Sequence, residues 1–139
     1  MTVSLHEAQK IAAAAFAEAD AQSLRVLSVV VLDPGGHVRL AMRSDTQGIF
    51  GIDTAVGKAR TALGFNRSSL LLSRVFVDPC GVAALAGVTL GAFVPLGGGI
   101  VIQQNGVTVG AAAISGGLPE VDDAIIRKAA LAAGFQALD

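Results

Sequence analysis

Two strand-like segments meet at an Asn-Gly pair in the C-terminal third of the chain. Residues 97–104 and 107–116 are rich in β-branched and small residues, and Asn105-Gly106 lies between them. Asn and Gly tolerate the two positive φ angles that a type I′ turn requires. The sequence therefore predicts a tight antiparallel hairpin. Glycines at its outer ends would allow backbone or ligand to approach closely.

Composition predicts a single domain, residues 1–139, that associates with copies of itself. A chain of 139 residues can bury a core without disulfides or metals. Hydrophobic residues make up 53% of it and charged residues only 15%, which leaves little charged surface for a solitary domain. Exposed apolar patches usually mark interfaces. We therefore expect a homo-oligomer.

The distribution of charge and cysteine argues against several functional classes. The net charge is -1, with no block of either sign, so we expect no nucleic-acid partner. The single Cys80 excludes an intramolecular disulfide and a cysteine-based zinc cluster, and we expect no metal site. Residues 78–81 are interpreted as a turn around this thiol. The N-terminus lacks the pattern of a signal peptide and no long apolar run is present, so we expect a cytoplasmic protein without membrane contact.

The N-terminal half predicts one helix and two strands. Ser4 and Glu7 have the spacing of a capping box, and helical periodicity continues to about Gln22. Residues 24–32 are almost continuously apolar, which is typical of a central strand. Residues 33–36, Asp-Pro-Gly-Gly, predict a type II turn into a half-buried strand over 37–43.

The remaining segments complete an α+β pattern. Residues 52–63 predict a helix with Asp53 as its cap, and Pro119 predicts the start of another helix, with Gly134 near its end. Residues 65–96 are irregular apart from a short helix near Ser68. Because the predicted strand connections are tight hairpins, the sheet should be mainly antiparallel, with helices packed on it.

Four segments, in this order along the chain, resemble those of one known family. They are Val31-Leu32-Asp33 with Gly36 in the first hairpin, Lys58-Ala59-Arg60-Thr61-Ala62 in the second predicted helix, Gly97-Gly98-Gly99 with Asn105-Gly106, and Ser115-Gly116-Gly117 followed by Asp122-Asp123. Together they span nearly the whole chain. On these motifs the chain resembles the GlcG/HbpS-like family, which includes the C-terminal domain of PduO-type proteins.

The resemblance implies a profilin-like α+β fold with a mainly antiparallel five-stranded sheet. It also implies assembly into dimers or higher oligomers. Several members of the family bind heme or a corrinoid, so heme or cobalamin is the cofactor that the resemblance implies. The primary functional hypothesis is therefore a small oligomeric binding protein that holds such a ligand at a cleft between subunits.

Candidate cofactor-binding residues are cations, glycines and histidines. Lys58 and Arg60 lie about 200° apart on a helix, so they are either separate cleft residues or ordinary solvated charges. A flat macrocycle could lie against the three consecutive glycines, which otherwise form a turn or bulge. His6 and His37 are the only imidazoles and could ligate iron, or simply lie at the surface. The full candidate set is His6, Arg43, Lys58, Arg60, Gly97, Gly98 and Gly99.

Two other functions remain open from the sequence. A pathway enzyme could use Asp45 or Asp53 as a base on a small carboxylated or carbonyl substrate, while Arg43, Lys58 and Arg60 stabilise developing charge. The candidate catalytic residues are then Asp45, Asp53, Lys58 and Arg60. Alternatively, the chain is an accessory protein whose only partner is another protein.

Overall fold

Helices and strands cover most of the chain in the computed structural model, which describes residues 1–139. No helix is both long and apolar enough to span a membrane. The capping box at Ser4 and the Pro119 helix start are confirmed. The elements are α1 (Leu5–Ala21), β1 (Ser28–Leu32), β2 (Val38–Arg43), α2 (Gly51–Phe65), α3 (Ser69–Val75), α4 (Pro79–Val88), β3 (Gly99–Gln104), β4 (Val107–Ser115), α5 (Pro119–Ala132) and β5 (Gln136–Leu138).

The five strands form one antiparallel sheet in the order β2-β1-β4-β3-β5. Helices α1 and α5 pack against one face, with the larger hydrophobic core beneath them, and α2 covers the other face with a smaller core. The predicted α+β architecture is therefore confirmed. Strand β5 follows α5, whereas the sequence predicted every strand to precede that helix. A strand of three residues is too short to show the alternation of apolar and polar residues that identifies a strand.

The predicted hairpin turns differ in outcome. Asn105 and Gly106 have φ angles of 53° and 75°, so the type I′ prediction is confirmed. At the other hairpin Gly36 N–H donates to Asp33 C=O, but the positive φ of 82° lies at Gly36 and not at Gly35. The type II prediction was therefore wrong: this is a type I turn followed by a glycine beside a register shift.

The first two strands are shorter than predicted, and β2 is also more exposed. β1 begins at Ser28 and not at residue 24, and all five of its residues are buried between β2 and β4. β2 lies at the edge of the sheet, where Val38 and Met42 are 49% and 47% exposed. The prediction of a half-buried strand was wrong, because only Leu40 of β2 is partly buried against the core.

Two helix starts also differ from the sequence interpretation. Phe50 and not Asp53 is the N-cap of α2, and it provides no side-chain hydrogen bond. Residues 78–81 begin α4 instead of forming an isolated turn: Asp78 accepts from the N–H of Cys80, and Pro79 is the first helical residue. Asp78 and Pro79 suit both a turn and the start of a helix, so the sequence alone did not distinguish the two.

Helix α4 is apolar, yet it has no buried residue and packs against no other helix or strand. It contains no charged residue. Val88, the last residue of α4, is 80% exposed, and Leu90, just beyond the helix, is 94% exposed. An exposed surface of this composition is typical of a protein interface.

Candidate functional site

Lys58 lies in the interior of the fold, between α2, β4 and α5. Its side chain is 4% exposed, and its ammonium donates to the carbonyl of Ile114 and to Oδ2 of Asp122, at 3.0 Å each. Asp122 is fully buried, and its Oδ1 accepts from the N–H of Gly117. The ammonium is therefore paired inside the chain, and solvent does not reach it.

Burial dominates the electrostatics of this pair. It raises the pKa of the Asp122 carboxyl above its ordinary value, although the charge and hydrogen bond of Lys58 and the N–H of Gly117 act in the opposite direction. The charged pair is therefore maintained against a desolvation cost. A buried pair of this kind connects elements more than it adds net stability.

Gly98 and Gly99 pack against the same centre, and Gly97 packs against Pro119 and Leu70. A Cβ at Gly98 would lie 2.7 Å from the carbonyl oxygen of Ile114, and one at Gly99 would lie 2.3 Å from that of Lys58. Ser69 accepts from the N–H of Gly99 at 2.8 Å. All three glycines are buried, so this geometry gives them a close-packing role within the chain.

A second group of candidates lies on the exposed side of α2. The Nε of Arg60 donates to the carbonyl of Gly36 at 3.1 Å, which holds the guanidinium beside the β1–β2 turn. Two cavities, of about 470 and 180 Å³, adjoin this side chain. The larger includes His37 and Leu63, and the smaller includes Asp53 and Leu90. We call the larger cavity the Arg60 cleft, lined by Pro34, Gly35, Gly36, His37, Arg60, Leu63 and Gly64.

His37 carries an oriented imidazole at this cleft. Its Nδ1 lies 3.4 Å from Oδ1 of Asp33, and its side chain is 81% exposed. The same Asp33 oxygen accepts from the N–H groups of Gly35 and His37, and these contacts, led by that of His37, hold the pKa of Asp33 below its ordinary value. Because Nδ1 faces the carboxylate, Nε2 is left for a ligand, as in carboxylate–histidine–metal arrangements.

These residues fit what a heme requires. Heme iron takes an imidazole as an axial ligand, and heme propionates pair with cations. The cleft offers Nε2 of His37, the remaining N–H groups of Arg60 and apolar contacts from Pro34 and Leu63. Apart from these, its floor is mostly glycine, which allows a planar ligand close to the backbone.

The remaining candidates lie elsewhere. His6 is exposed on α1, on the other face of the sheet from α2. Arg43 and Asp45 are exposed near the N-terminus of α2, about 14 Å along that helix from Arg60. The structure thus brings together Arg60, His37 and Asp53 around adjoining cavities, separates Arg43, Asp45 and His6 from them, and encloses Lys58.

Sequence reasoning missed the partners of these groups. Asp122 was noted only as part of the segment that follows Ser115-Gly116-Gly117, but it is the counterion of Lys58. Asp33 was interpreted only as a turn residue, but it also orients His37. The spacing of four residues between Asp33 and His37 was the available signal. No local pattern could connect Lys58 with Asp122, which lie 64 positions apart.

Comparison with known proteins agrees with this fold and motif set. Residues 3–132 match the family model described as haem degrading protein HbpS-like. The chain therefore belongs to the HbpS-like family, and the resemblance found in the sequence is confirmed.

Three relatives illustrate the similarity. An uncharacterised 15.0 kDa protein of the dhaT-dhaS intergenic region of Citrobacter freundii is 30% identical over 121 residues, which cover 87% of this chain and 84% of that protein. A crystal structure of a PduOC–heme complex superposes with a TM-score of 0.89 at 26% identity and covers all of both chains. A double mutant of HbpS from Streptomyces reticuli gives 0.81 at 26% identity, covering 94% of this chain and 86% of that one.

Proposed function

We propose that this protein binds heme in the Arg60 cleft, with His37 as the axial ligand and Arg60 as the partner of a propionate. The observation that carries the proposal is the imidazole of His37, which lines the same cavity as Arg60 and whose Nδ1 lies 3.4 Å from Oδ1 of Asp33, so that Nε2 is the nitrogen free for a ligand. Heme supplies an iron centre when bound. The chain supplies an axial nitrogen, a cation and a glycine-rich floor.

The comparisons support heme over a corrinoid. The PduOC structure, which is similar to this chain over its full length, is a heme complex. Members of a family often share a ligand class but not its binding residues, so the assignment to His37 rests on this chain's own geometry. The side chain of the alternative ligand His6 takes part in none of the chain's hydrogen bonds or ion pairs, so no carboxylate fixes its tautomer.

The protein is further proposed to assemble with copies of itself through α4. A helix of ten residues without charge and without buried contacts would be costly to leave in water. An uncharged surface can pair with its own copy without repulsion between like charges, which favours a second copy as the partner. Leu90, at the end of this surface, also lines the cavity beside Asp53 and Arg60. Assembly would therefore add walls near the Arg60 cleft.

An absorbance titration with hemin tests the heme site. Wild-type protein should give a saturable shift of the Soret band at a stoichiometry of one heme per chain or per pair of chains. His37→Ala should lose the spectrum of the ligated iron, and Arg60→Gln should weaken binding by about tenfold through loss of a charged hydrogen bond. His6→Ala is the matched control, because it removes the other imidazole and should leave the titration unchanged.

Two outcomes would contradict the heme assignment. Loss of the shift in His6→Ala with retention in His37→Ala would move the axial ligand to α1. An unsaturable response in the wild type would refute heme binding. Cobalamin, tested in parallel, should not displace hemin.

A further inference from the structure

A polar cavity of about 460 Å³ lies where α3 packs against α5. It shares no lining residue with the Arg60 cleft. Two leucines and five polar or charged residues line it: Ser68, Leu70, Leu71, Arg74, Asp123, Arg127 and Asp139. Polar groups that converge on a cavity are typical of a small-molecule site.

One carboxylate oxygen at this cavity has no hydrogen-bond partner. Asp123 is 5% exposed. Its Oδ2 accepts from Nε of Arg127 at 2.6 Å, whereas its Oδ1 is buried and accepts from no donor in the chain. Because buried acceptors are normally satisfied, Oδ1 indicates a donor that the chain does not supply.

A buried donor at the same cavity is also unused. Ser68 is 1% exposed, and its Oγ accepts from the N–H of Leu71, which caps the start of α3. A hydroxyl can donate as well as accept, but the proton of Ser68 has no acceptor among the chain's hydrogen bonds. Ser68 and Asp123 do not bond to each other, so the cavity has an unused donor and an unused acceptor at separate points.

Arg74 adds an unpaired cation to the lining. It is exposed, and its guanidinium takes part in none of the chain's hydrogen bonds or ion pairs. Arg127, by contrast, pairs with both Asp123 and Asp139. Two arginines and two aspartates line the cavity, so their charges cancel. A ligand with only one sign of charge would gain one of the unpaired groups and be opposed by the other.

We propose that this cavity binds a free α-amino acid with an apolar side chain. The ammonium of the ligand donates to Oδ1 of Asp123, and its carboxylate accepts from the hydroxyl of Ser68 and the guanidinium of Arg74. Its apolar side chain lies against Leu70 and Leu71. An amino acid carries one charge of each sign, so it satisfies both unpaired groups without adding net charge to the site.

L-Leucine is a suitable probe, because two analogues of the same shape each lack one of its charges. Isothermal titration calorimetry of the full-length protein should show saturable binding of leucine at one molecule per chain. 4-Methylpentanoate lacks the ammonium, and 3-methylbutylamine lacks the carboxylate. Each should bind at least about tenfold more weakly than leucine, because one charged hydrogen bond is lost.

Three variants test the contacts within the chain. Arg74→Gln and Asp123→Asn should each weaken leucine binding by about tenfold. Because Arg74 is exposed and unpaired, its replacement should leave the Tm unchanged, and the lower affinity then reports a lost contact and not unfolding. Arg67→Gln is the matched control: Arg67 is exposed, makes no ion pair and does not line the cavity, so the affinity should stay at the wild-type value.

Leucine binding that does not saturate up to about 10 mM would overturn the proposal and leave water as the partner of Asp123. Equal affinity for leucine and either analogue would also overturn it, because the site would then recognise a single charge. Equal affinity in Arg74→Gln and the wild type would contradict the assignment of the carboxylate. Unchanged leucine binding in His37→Ala would show that this site is separate from the heme site.

Discussion

The ammonium of Lys58 lies 3.0 Å from the carboxylate of Asp122, in a part of the interior where both side chains are almost fully buried. This contact joins α2 to α5, and the second hydrogen bond of Lys58 to Ile114 adds β4. Helix α2 is therefore held to two consecutive elements, β4 and α5, by contacts between residues 56 and 64 positions apart. Gly98 and Gly99 pack directly against these contacts, so the pair also explains why side chains are excluded there.

Removal of one partner of this pair should be far more damaging than removal of both. Asp122→Asn keeps the shape but leaves the ammonium of Lys58 uncompensated, and should lower the free energy of unfolding by about 3–5 kcal/mol. The double variant Lys58→Met, Asp122→Leu should be less destabilised than Asp122→Asn, because no charge is then buried. Urea denaturation measures both. A double variant that is less stable than the single one would show that the pair itself provides net stability.

Glycine substitutions should separate close packing from conformational freedom. Gly99→Ala places a methyl group against the carbonyl of Lys58 and should cost about 1–3 kcal/mol of unfolding free energy. Gly64→Ala is the control: it lies within α2, a Cβ there meets no atom within 4 Å, and alanine should stabilise the helix by about 0.5–1 kcal/mol. In thermal denaturation, the Tm of Gly99→Ala should therefore fall and the Tm of Gly64→Ala should rise. A tolerated Gly99→Ala would contradict the packing role.

Acid should weaken the β1–β2 turn through Asp33. The pKa of this carboxyl is held below its ordinary value by the backbone N–H groups of His37 and Gly35, so the folded state binds the proton less readily than the unfolded state. The stability contributed by Asp33 is then present above its ordinary pKa of 3.8 and is lost as the pH falls through the lowered value. Asp33→Asn should have a Tm that falls less than that of the wild type between about pH 6 and pH 3. Parallel pH profiles for the two proteins would contradict this account.

Charge on the α4 surface should prevent self-association. Val88→Asp combined with Leu90→Asp places two carboxylates on a surface that is 80% and 94% exposed at these positions in the single chain. Light scattering coupled to size-exclusion chromatography should report an oligomer for the wild type and a smaller species for the double variant. Ala124→Asp, on the exposed side of α5, should behave as the wild type. An unchanged mass for the double variant would place the interface elsewhere.

Local signals predicted the fold well where a few residues determine a conformation. The Asn105-Gly106 turn and the Ser4 capping box depend on neighbours in the chain, and both are confirmed. The exposure of β2 could not be predicted in this way. Its alternating pattern of apolar and polar residues is the same whether a helix covers the strand or not. Strand β2 lies at the sheet edge because it pairs only with β1, and the sequence does not show this.

The candidate site was less accessible to sequence reasoning, because its chemistry depends on long-range contacts. Lys58 and Arg60 are two residues apart, yet one is enclosed with Asp122 and the other lies at an open cavity. The helical period predicted that they diverge, but it could not tell which one faces the sheet. Ser28 lies beside Arg43 and Ser115 only through strand register. The role of Arg60 in ligand binding remains a prediction.

Chemical rescue tests most directly the proposal that Nε2 of His37 ligates heme iron. His37→Gly should bind hemin weakly and lack the absorbance spectrum of imidazole-ligated iron, and added imidazole should restore that spectrum in a saturable way by occupying the space of the missing ring. Hemin spectra of His6→Gly should match those of the wild type before any imidazole is added. If His37→Gly alone retains the wild-type spectrum, His37 is not the ligand and the Arg60 cleft is not the heme site.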